Sequence, residues 1–231
     1  MENIAIIPAR GGSKRIPRKN IIEFKGKPMI AWTIEAAVAS GLFSKVLVST
    51  DCEEIAEISR EFGAEVPFLR DGNSDDFTVV SEATCDALIQ AEHYWSTKFD
   101  TVTQLMANCP LRTAQDIQRF YLEFVSREND FLLSCFKFGW MNPWWAFRMD
   151  EQNKHSFLFD EALKRRSQDL EDLFCPTGSI WMANAEPLKV TRSFHSENKQ
   201  FCEVNWISAV DIDDEGDMNF AKSIVVPPND V

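Results

Sequence analysis

The chain has 231 residues, enough for one well-filled α/β domain with a subdomain or for two small domains. Apolar residues make up 45% and charged residues 26%, a balance typical of globular proteins. No apolar run approaches the roughly 20 residues that a membrane-spanning helix needs. The net charge of −12 argues against a general nucleic-acid-binding protein, because such proteins usually carry a basic face. We therefore expect a protein that binds neither nucleic acid nor membranes.

Two features indicate a cytoplasmic protein. The first residues lack the basic region and the small-residue cleavage site of a secretory signal. The six cysteines are widely spaced and include no C-x-x-C pair, which argues against a zinc ribbon or a thioredoxin-like site. We expect these cysteines to be reduced and mostly buried.

The first half of the chain alternates between strand and helix patterns. Residues 4–7 form a short apolar run that predicts a buried first strand. Apolar side chains at helical spacing predict a helix that opens near Pro28 and stops at Gly41. A second strand is predicted over residues 46–50, followed by a helix that Asp51 could cap. This order is typical of an α/β protein with a parallel sheet.

The second half continues this pattern and then departs from it. The predicted elements are a helix over 79–94, a strand over 101–106, a helix after a capping box at Thr113 and Asp116, and strands over 131–136, 179–183 and 204–210. Residues 138–175 instead carry eight Trp and Phe residues without a clear period. We interpret the chain as a single domain, 1–231, with an inserted aromatic-rich subdomain at 138–175.

A basic segment follows the first predicted strand. Residues 1–27 contain seven Lys or Arg and two acidic residues, a local charge of +5 on a chain that elsewhere carries −17. The segment is neither a Walker A loop nor G-x-G-x-x-G, but its paired glycines can turn the backbone N–H groups toward an anion. Its position at a strand end predicts a polyphosphate site, with a solvated basic loop as the alternative. Its charged residues are Arg10, Lys14, Arg15, Arg18 and Lys19.

A group of carboxylates follows the last predicted strand. If that strand continues through Asp211 and Asp213, the two side chains point to the same face, as a hard cation such as Mg²⁺ requires. Asp214, Glu215 and Asp217 are better explained as caps of a following helix. The alternative is that all five carboxylates are such caps.

Together these segments resemble the acylneuraminate cytidylyltransferases, the CMP-sialic acid synthetases. The pattern I-P-A-R-x-x-S-K-x-x-P-x-K-N is complete from Ile7 to Asn20 and is the most specific match. The other matching segments, in the expected order over nearly the whole chain, are V-S-T-D at 48–51, F-L-R at 68–70 with S-D at 74–75, P-L-R-T at 110–113, Q-D-L at 168–170, P-x-G-x-I at 176–180 and D-I-D at 211–213.

The resemblance implies a fold, a reaction and an assembly. The fold is that of the nucleotide-diphosphosugar transferases, α/β with a Rossmann-like, mixed and mostly parallel sheet. The reaction joins CMP from CTP to the anomeric hydroxyl of a nonulosonic, sialic-acid-like sugar and releases pyrophosphate, with Mg²⁺ as cofactor. The assembly is a homodimer in which residues 138–175 reach the partner's sugar site, and ordinary core packing is the alternative for that segment.

The resemblance also assigns roles to individual residues. Arg10 and Lys19 would hold the triphosphate and act in catalysis together with Asp211, which would ligate Mg²⁺ with Asp213. The other predicted nucleotide-binding residues are Ala9, Gly11, Gly12, Ser13, Asn20 and Arg70. His93, His155 and His195 are interpreted as structural or exposed rather than catalytic.

The departures from the family pattern fall on the sugar side. The family's Q-P-T-S-P-L-R reads Met-Ala-Asn-Cys-Pro-Leu-Arg here, so that Met106 replaces the glutamine that touches the sugar in sialate enzymes. Gln104 should face the same way as Met106 on a strand. Arg166 and Gln168 are the remaining predicted substrate contacts. A legionaminate- or pseudaminate-like acceptor therefore fits at least as well as N-acetylneuraminate.

Three other functions remain open at this point. The first is the same reaction on an eight-carbon ulosonate, and the second is nucleotidyl transfer to a sugar 1-phosphate. The third is a non-enzymatic protein that binds CTP or another anion for regulation, in which case Asp211 and Asp213 could be replaced without loss of function.

Overall fold

The computed structural model describes residues 2–13, 15–70 and 80–224. Its strands are β1 (Asn3–Pro8), β2 (Glu23–Phe24), β3 (Lys27–Pro28), β4 (Lys45–Ser49), β5 (Thr101–Gln104), β6 (Phe131–Lys137), β7 (Phe147–Met149), β8 (His155–Phe157), β9 (Phe174–Asn184) and β10 (Lys199–Glu203). Its helices are α1 (Met29–Ser40), α2 (Glu53–Glu61), α3 (Val80–Trp95), α4 (Ala114–Ser126), α5 (Ala185–Thr191) and α6 (Glu215–Ser223).

Six strands form one mixed sheet in the order β10-β6-β9-β5-β1-β4. Strand β9 runs antiparallel to both of its neighbours, β5 and β6, and the other pairs are parallel. The predicted fold class, a Rossmann-like and mostly parallel mixed sheet, is confirmed. The carboxyl ends of β1, β4 and β5 therefore lie at one edge, where open α/β sheets bind their ligands.

Apolar side chains cover both faces of this sheet. On one face Ile34, Ile55 and Phe120 come from α1, α2 and α4. On the other face Leu88 of α3 and Leu188 of α5 pack against the strands. Strands buried on both faces explain why β1 is an almost unbroken apolar run rather than an alternating one.

A third apolar cluster lies beside the sheet and connects segments distant in sequence. Ile16, from the basic segment, and Ile212, which lies between Asp211 and Asp213, are both buried in it. The other buried members are Phe24, Met29, Leu111, Met218 and Ala221. This cluster brings the predicted polyphosphate site in the basic segment and the predicted Mg²⁺ site at Asp211 and Asp213 to the same part of the molecule.

Several local predictions are confirmed. Helix α1 begins directly after Pro28 and ends at Gly41, whose φ of 67° is readily adopted by glycine. Thr113 and Asp116 form the predicted capping box of α4. Asp214 caps α6, with Asp217 completing a second capping box.

Two local predictions are wrong. Asp51 does not cap α2, because Cys52 occupies the N-cap position and its side chain makes no capping hydrogen bond. Residues 204–210, all described, form turns, and the last strand, β10, ends one residue earlier at Glu203. The Val204 amide still donates to the Cys135 carbonyl of β6 at 2.8 Å, and the rest of this apolar run leaves the sheet and packs against the core. Three predictions lie outside the described residues: the place of Lys14 in the basic segment, the S-D motif at 74–75 and the start of the predicted helix at residue 79.

Residues 138–175 form an excursion between β6 and β9. They contain the β7–β8 hairpin and three short 3-10 turns, and bury little of their own apolar surface. Trp140 is 87% exposed and Met149 is 63% exposed. A dimerisation role for this segment stays a prediction. Among the described residues, no helix is both long and apolar enough to cross a membrane.

A buried carboxylate connects α3 to α5 and contributes a testable part of the stability. Glu92 accepts hydrogen bonds from Lys189 Nζ at 2.9 and 3.1 Å, from Lys98 Nζ at 2.9 Å and from the Phe99 amide at 3.3 Å. Burial alone would raise the pKa of Glu92, but these hydrogen bonds outweigh it and lower the pKa below its usual value. The stabilisation is therefore complete at neutral pH and is lost as the pH falls through the lowered pKa.

We expect Glu92→Gln to lower the free energy of unfolding by about 2 kcal/mol at pH 7. The difference from wild type should shrink as the pH falls below the ordinary glutamate pKa and through the lowered pKa of Glu92, where the wild-type carboxylate takes up a proton. Urea unfolding across this range measures it. Glu186→Gln, which removes the exposed partner of Lys189, is the control and should cost less than about 1 kcal/mol. A Glu92→Gln deficit that does not change with pH would contradict this account.

Candidate active site

The basic loop, residues 9–20, leaves the carboxyl end of β1 and is held at three points. The Ala9 amide donates to the Ser49 carbonyl at 2.9 Å, which continues the β1–β4 pairing by one residue. The Gly11 amide donates to Asp51 Oδ1 at 2.8 Å. The Asn20 side-chain amide donates to the Arg10 carbonyl at 3.0 Å. Asp51 thus orients the loop instead of capping α2, and Asn20 does so from a buried position.

Gly11 is needed because the chain passes close to α2. A Cβ atom on Gly11 would lie 3.0 Å from Cys52 Cβ, whereas one on Gly12 would meet no described atom within 4 Å. We expect Gly11→Ala to lower the free energy of unfolding by about 1–2 kcal/mol and Gly12→Ala to leave it nearly unchanged. Chemical denaturation of the two variants measures this, and equal losses would show that close contact is not the reason for Gly11.

The carboxylate turn, residues 204–213, places two acidic side chains beside this loop. Ile212 is fully buried in the third apolar cluster, which leaves Asp211 and Asp213 to project on either side of it. Asn108 clamps the turn: its carbonyl accepts from the Ile212 amide at 2.9 Å, and its side-chain amide donates to the Ile212 carbonyl at 3.3 Å. The burial of Ile212 and its hydrogen bonds with Asn108, rather than the alternation of a regular strand, therefore bring the two carboxylates together.

The side-chain amide of Asn108 also joins the two carboxylates to each other. It donates to Asp211 Oδ1 and, at 3.3 Å, to Asp213 Oδ1. The sequence reasoning missed Asn108. The available signal was a polar residue among apolar ones four residues after β5, at the edge where parallel strands place their ligands.

The basic loop and the carboxylate turn meet at Asp213. Lys19 Nζ lies 2.8 Å from Asp213 Oδ1, and an Arg15 guanidinium nitrogen lies 2.7 Å from Asp213 Oδ2. Burial alone would raise the pKa of Asp213, but the hydrogen bonds from Lys19 and Arg15 outweigh it and hold the pKa below its usual value. The structure thus brings together predicted site residues that are 194 positions apart in sequence.

Asp211 has the opposite electrostatic character. Its side chain keeps access to solvent, yet the protein packed around its carboxyl group disfavours charge there, and the neighbouring Asp213 carboxylate adds to this effect. Together they raise the pKa of Asp211 to about 6. Adjacent titratable groups whose pKa values are shifted in opposite directions occur often at functional sites.

Arg70 lies close to Arg10 and Asp51, at the start of the basic loop. Its amide donates to the Thr50 carbonyl at 2.8 Å, and its side chain is 8% exposed, with an Nε–H that has no acceptor among the described residues. Burial lowers its pKa, which the Asp51 carboxylate counters and the nearby Arg10 cation reinforces. Arg10, Arg70 and Asp51 thus form one charged group, and a role in nucleotide binding stays a prediction.

The predicted sugar contacts are more scattered. Strand β5 ends at Gln104, which is fully buried and accepts a hydrogen bond from Thr84 Oγ1 at 2.7 Å. Met106 lies two residues beyond β5, so the strand alternation on which the expectation was based does not reach it. The two side chains nevertheless meet as expected, because Gln104 Nε2 lies 3.9 Å from Met106 Sδ. Met106 is half-buried and touches Gly178, where an added Cβ would lie 2.9 Å from Met106 Cγ.

Arg166 and Gln168 lie in the 138–175 excursion. Both are exposed, and the Arg166 guanidinium forms a two-pronged ion pair with Asp169 at 2.8 and 3.1 Å. Their roles in sugar binding stay predictions.

Comparison with known proteins identifies the family. Residues 4–213 match the family model described as cytidylyltransferase. The chain is 37% identical to a pseudaminic acid cytidylyltransferase of Campylobacter jejuni, over 96% of this chain and 95% of that protein. It is 33% identical to the CMP-N,N'-diacetyllegionaminic acid synthase of Legionella pneumophila, over 92% and 91% of the two chains.

The fold has a solved counterpart. A CMP:2-keto-3-deoxy-manno-octonic acid synthetase complexed with CTP superimposes with a TM-score of 0.68 over 96% of this chain and 98% of that one, at 16% identity. At that identity the likeness concerns the fold. The sequence matches, which extend over nearly the whole chain and include both the basic loop and the carboxylate turn, show that this chain belongs to the cytidylyltransferase family.

Proposed function

We propose that this enzyme transfers CMP from CTP to the anomeric hydroxyl of a nonulosonic acid and releases pyrophosphate. The observation that carries the proposal is the meeting of Lys19 and Arg15 with Asp213, beside Asp211. The proposal assigns the cationic groups to the triphosphate of CTP and the neighbouring carboxylates to a metal ion. The relatives at 37% and 33% identity, both named for cytidylylation of a nonulosonic acid, support the same reaction.

The donor set fits Mg²⁺. Asp211 and Asp213 offer hard carboxylate oxygens within reach of the same Asn108 amide, and the proximity of the two negative charges, which helps to raise the pKa of Asp211, supports a cation between them. The described residues contain no group of three or more His, Cys, Asp or Glu that could hold a metal. Phosphate oxygens and water would complete the coordination. A bound Mg²⁺ would supply charge neutralisation at the phosphates.

The chain's own residues then position the nucleotide. Arg10 and Lys19 hold the triphosphate, and the backbone at Gly11, Gly12 and Ser13 shapes the loop around it. The acceptor hydroxyl attacks the α-phosphorus in line with the departing pyrophosphate, whose developing charge Arg10 and Lys19 stabilise. Lys19 and Arg15 exchange the Asp213 carboxylate for phosphate oxygens when CTP binds.

The acceptor that fits best is a pseudaminic-acid-like sugar. Pseudaminic acid ends in a methyl group, whereas N-acetylneuraminic acid ends in a hydroxymethyl group. Met106 offers an apolar thioether where sialate enzymes carry a glutamine, and the absence of a side chain on Gly178 leaves room for it. The 37% identity to the Campylobacter jejuni enzyme supports the same acceptor.

We expect Met106→Gln to lower kcat/KM for pseudaminic acid about tenfold and to reduce its preference over N-acetylneuraminic acid, because an amide would face the apolar end of the sugar. Met106→Leu is the apolar control and should retain the preference. The ratio of the two kcat/KM values measures the effect. An unchanged ratio in the glutamine variant would show that Met106 does not face the acceptor.

The proposed assembly is a cytoplasmic homodimer formed through residues 138–175. Trp140, Met141, Phe147 and Met149 are each more than half exposed, and such an apolar surface usually marks a contact. Sedimentation of wild-type protein and of Trp140→Asp tests it, and a wild-type monomer would contradict it.

Pyrophosphate release with CTP and MgCl₂ tests the function. The panel contains pseudaminic, legionaminic and N-acetylneuraminic acids, an eight-carbon ulosonate and a sugar 1-phosphate. Turnover with a nonulosonic acid supports the proposal. Turnover only with the ulosonate or only with the sugar phosphate would assign the enzyme to one of those alternatives, and CTP binding without turnover would indicate a regulatory protein.

A further inference from the structure

Strand β9 leaves its regular ladder with β6 beside the carboxylate turn. Trp181 pairs with Leu133, but the next pair toward the start of β9 joins Pro176 to Cys135. Four residues of β9, 177–180, therefore face one residue of β6. Bulges of this kind occur often next to active sites, where they redirect side chains.

The bulge is a fixed structure. Ser134 Oγ donates to the Thr177 carbonyl at 2.9 Å and accepts from the Ile180 amide at 3.0 Å. The indole N–H of Trp181 donates to the same Thr177 carbonyl at 2.8 Å. These bonds replace the missing ladder. Within the bulge the Thr177 hydroxyl also accepts from the Ser179 amide at 3.3 Å, and the hydroxyl groups of Thr177 and Ser179 donate to residues outside it.

Both hydroxyl groups hold the carboxylate turn. Thr177 Oγ1 donates to the Ala209 carbonyl at 3.1 Å, and Ser179 Oγ donates to the Ser208 carbonyl at 2.8 Å. All four residues are buried, with exposed fractions of 7% or less. Solvent therefore does not readily replace these bonds.

The start of α4 supports the same turn. The buried Arg112 donates from a guanidinium nitrogen to the Ser179 carbonyl. Ser208 Oγ donates to Asp116 Oδ2 at 2.7 Å, the oxygen that also accepts from the Thr113 amide and hydroxyl in the capping box of α4. The turn is thus tied to a bulged strand and to a helix end.

We propose that Thr177 and Ser179 are positioning residues for cytidylyl transfer, which hold Asp211 and Asp213 in place through the backbone of residues 208 and 209. The inference rests on the proposed function. Because residues 205–213 belong to no strand, the carboxylates are held by individual hydrogen bonds: those of Asn108 at Ile212 and the side-chain hydrogen bonds at residues 208 and 209. Thr177 and Ser179 supply the latter bonds, two and three residues before Asp211.

The test uses Thr177→Val and Ser179→Ala, which remove one hydroxyl each with little change of volume. Hydrogen exchange of residues 208–213 in the protein without nucleotide should become about tenfold faster in each variant. Mn²⁺ binding in the presence of CTP, measured by electron paramagnetic resonance, should weaken about five- to tenfold, and the Mg²⁺ concentration for half-maximal turnover should rise by the same factor.

Thr101→Val is the matched control. Thr101 Oγ1 donates to Asn3 Oδ1 at 2.8 Å in a similarly buried position. Both residues lie at the amino-terminal ends of their strands, β5 and β1, whereas the candidate site lies at the carboxyl ends. This variant should lose a similar amount of thermal stability with unchanged exchange in residues 208–213 and unchanged Mn²⁺ affinity.

Two results would overturn the inference. One is exchange in residues 208–213 that is no faster in Thr177→Val and Ser179→Ala than in Thr101→Val, and the other is faster exchange with unchanged Mn²⁺ affinity. Wild-type protein without turnover would refute the proposed function separately, and the exchange comparison would still decide whether the bulge holds the carboxylate turn.

Discussion

Replacing either Asp211 or Asp213 by asparagine should reduce kcat by about three orders of magnitude while the protein stays folded. Each substitution keeps the volume and removes one of the two anionic oxygen donors that we assign to Mg²⁺. At Asp213 it also removes the partner of Lys19 and Arg15. Pyrophosphate release at saturating CTP measures the loss, and thermal unfolding verifies the fold.

Asp214→Asn is the charge-matched control. Asp214 adjoins Asp213 but caps α6, accepting from the Asp217 amide at 2.9 Å, and asparagine is an equally good N-cap. This variant should keep kcat within about twofold of wild type. Equal losses in all three variants would mean that general negative charge, rather than a metal site, explains the effect.

The second large effect is expected at Lys19. Lys19→Met should lower kcat/KM for CTP about 100-fold, because the side chain is the better-buried of the two cations that contact Asp213 and is assigned to the triphosphate. Steady-state kinetics with CTP as the varied substrate measures it.

Arg18→Met removes the same charge from the neighbouring position. The Arg18 side chain is exposed and paired with Glu54, away from the carboxylate turn. We expect its kcat/KM to stay within about threefold of wild type. If the two variants lose activity equally, the loop acts only through its summed charge, and the specific role of Lys19 is wrong.

Local sequence signals predicted much of the fold. The apolar run of β1, the Gly41 stop of α1 and the capping boxes of α4 and α6 depend on residues close together in sequence, and each lies where its pattern indicates. The alternation of these elements predicted a parallel α/β sheet, and the family resemblance implied that the sheet is mixed. The basic loop was recognisable because its glycines and cations follow a buried strand.

The errors have a common physical cause, which is dependence on distant partners. Residues 204–210 have the composition of a strand, but the β10 position is taken by residues 199–203. Asp51 has the character of a helix cap, yet the Gly11 amide, 40 residues away, competes for its carboxylate. Asn108 and the bulge at 177–180 were missed because their contacts reach 29 residues or more along the chain.

The most direct test of the central claim is a crystal structure with CTP and Mn²⁺, read through the anomalous signal of the metal. We predict one Mn²⁺ about 2.2 Å from carboxylate oxygens of both Asp211 and Asp213, with the triphosphate between it and the Arg10 and Lys19 side chains. A metal or a triphosphate bound elsewhere on the molecule, with this cleft unchanged, would contradict the account.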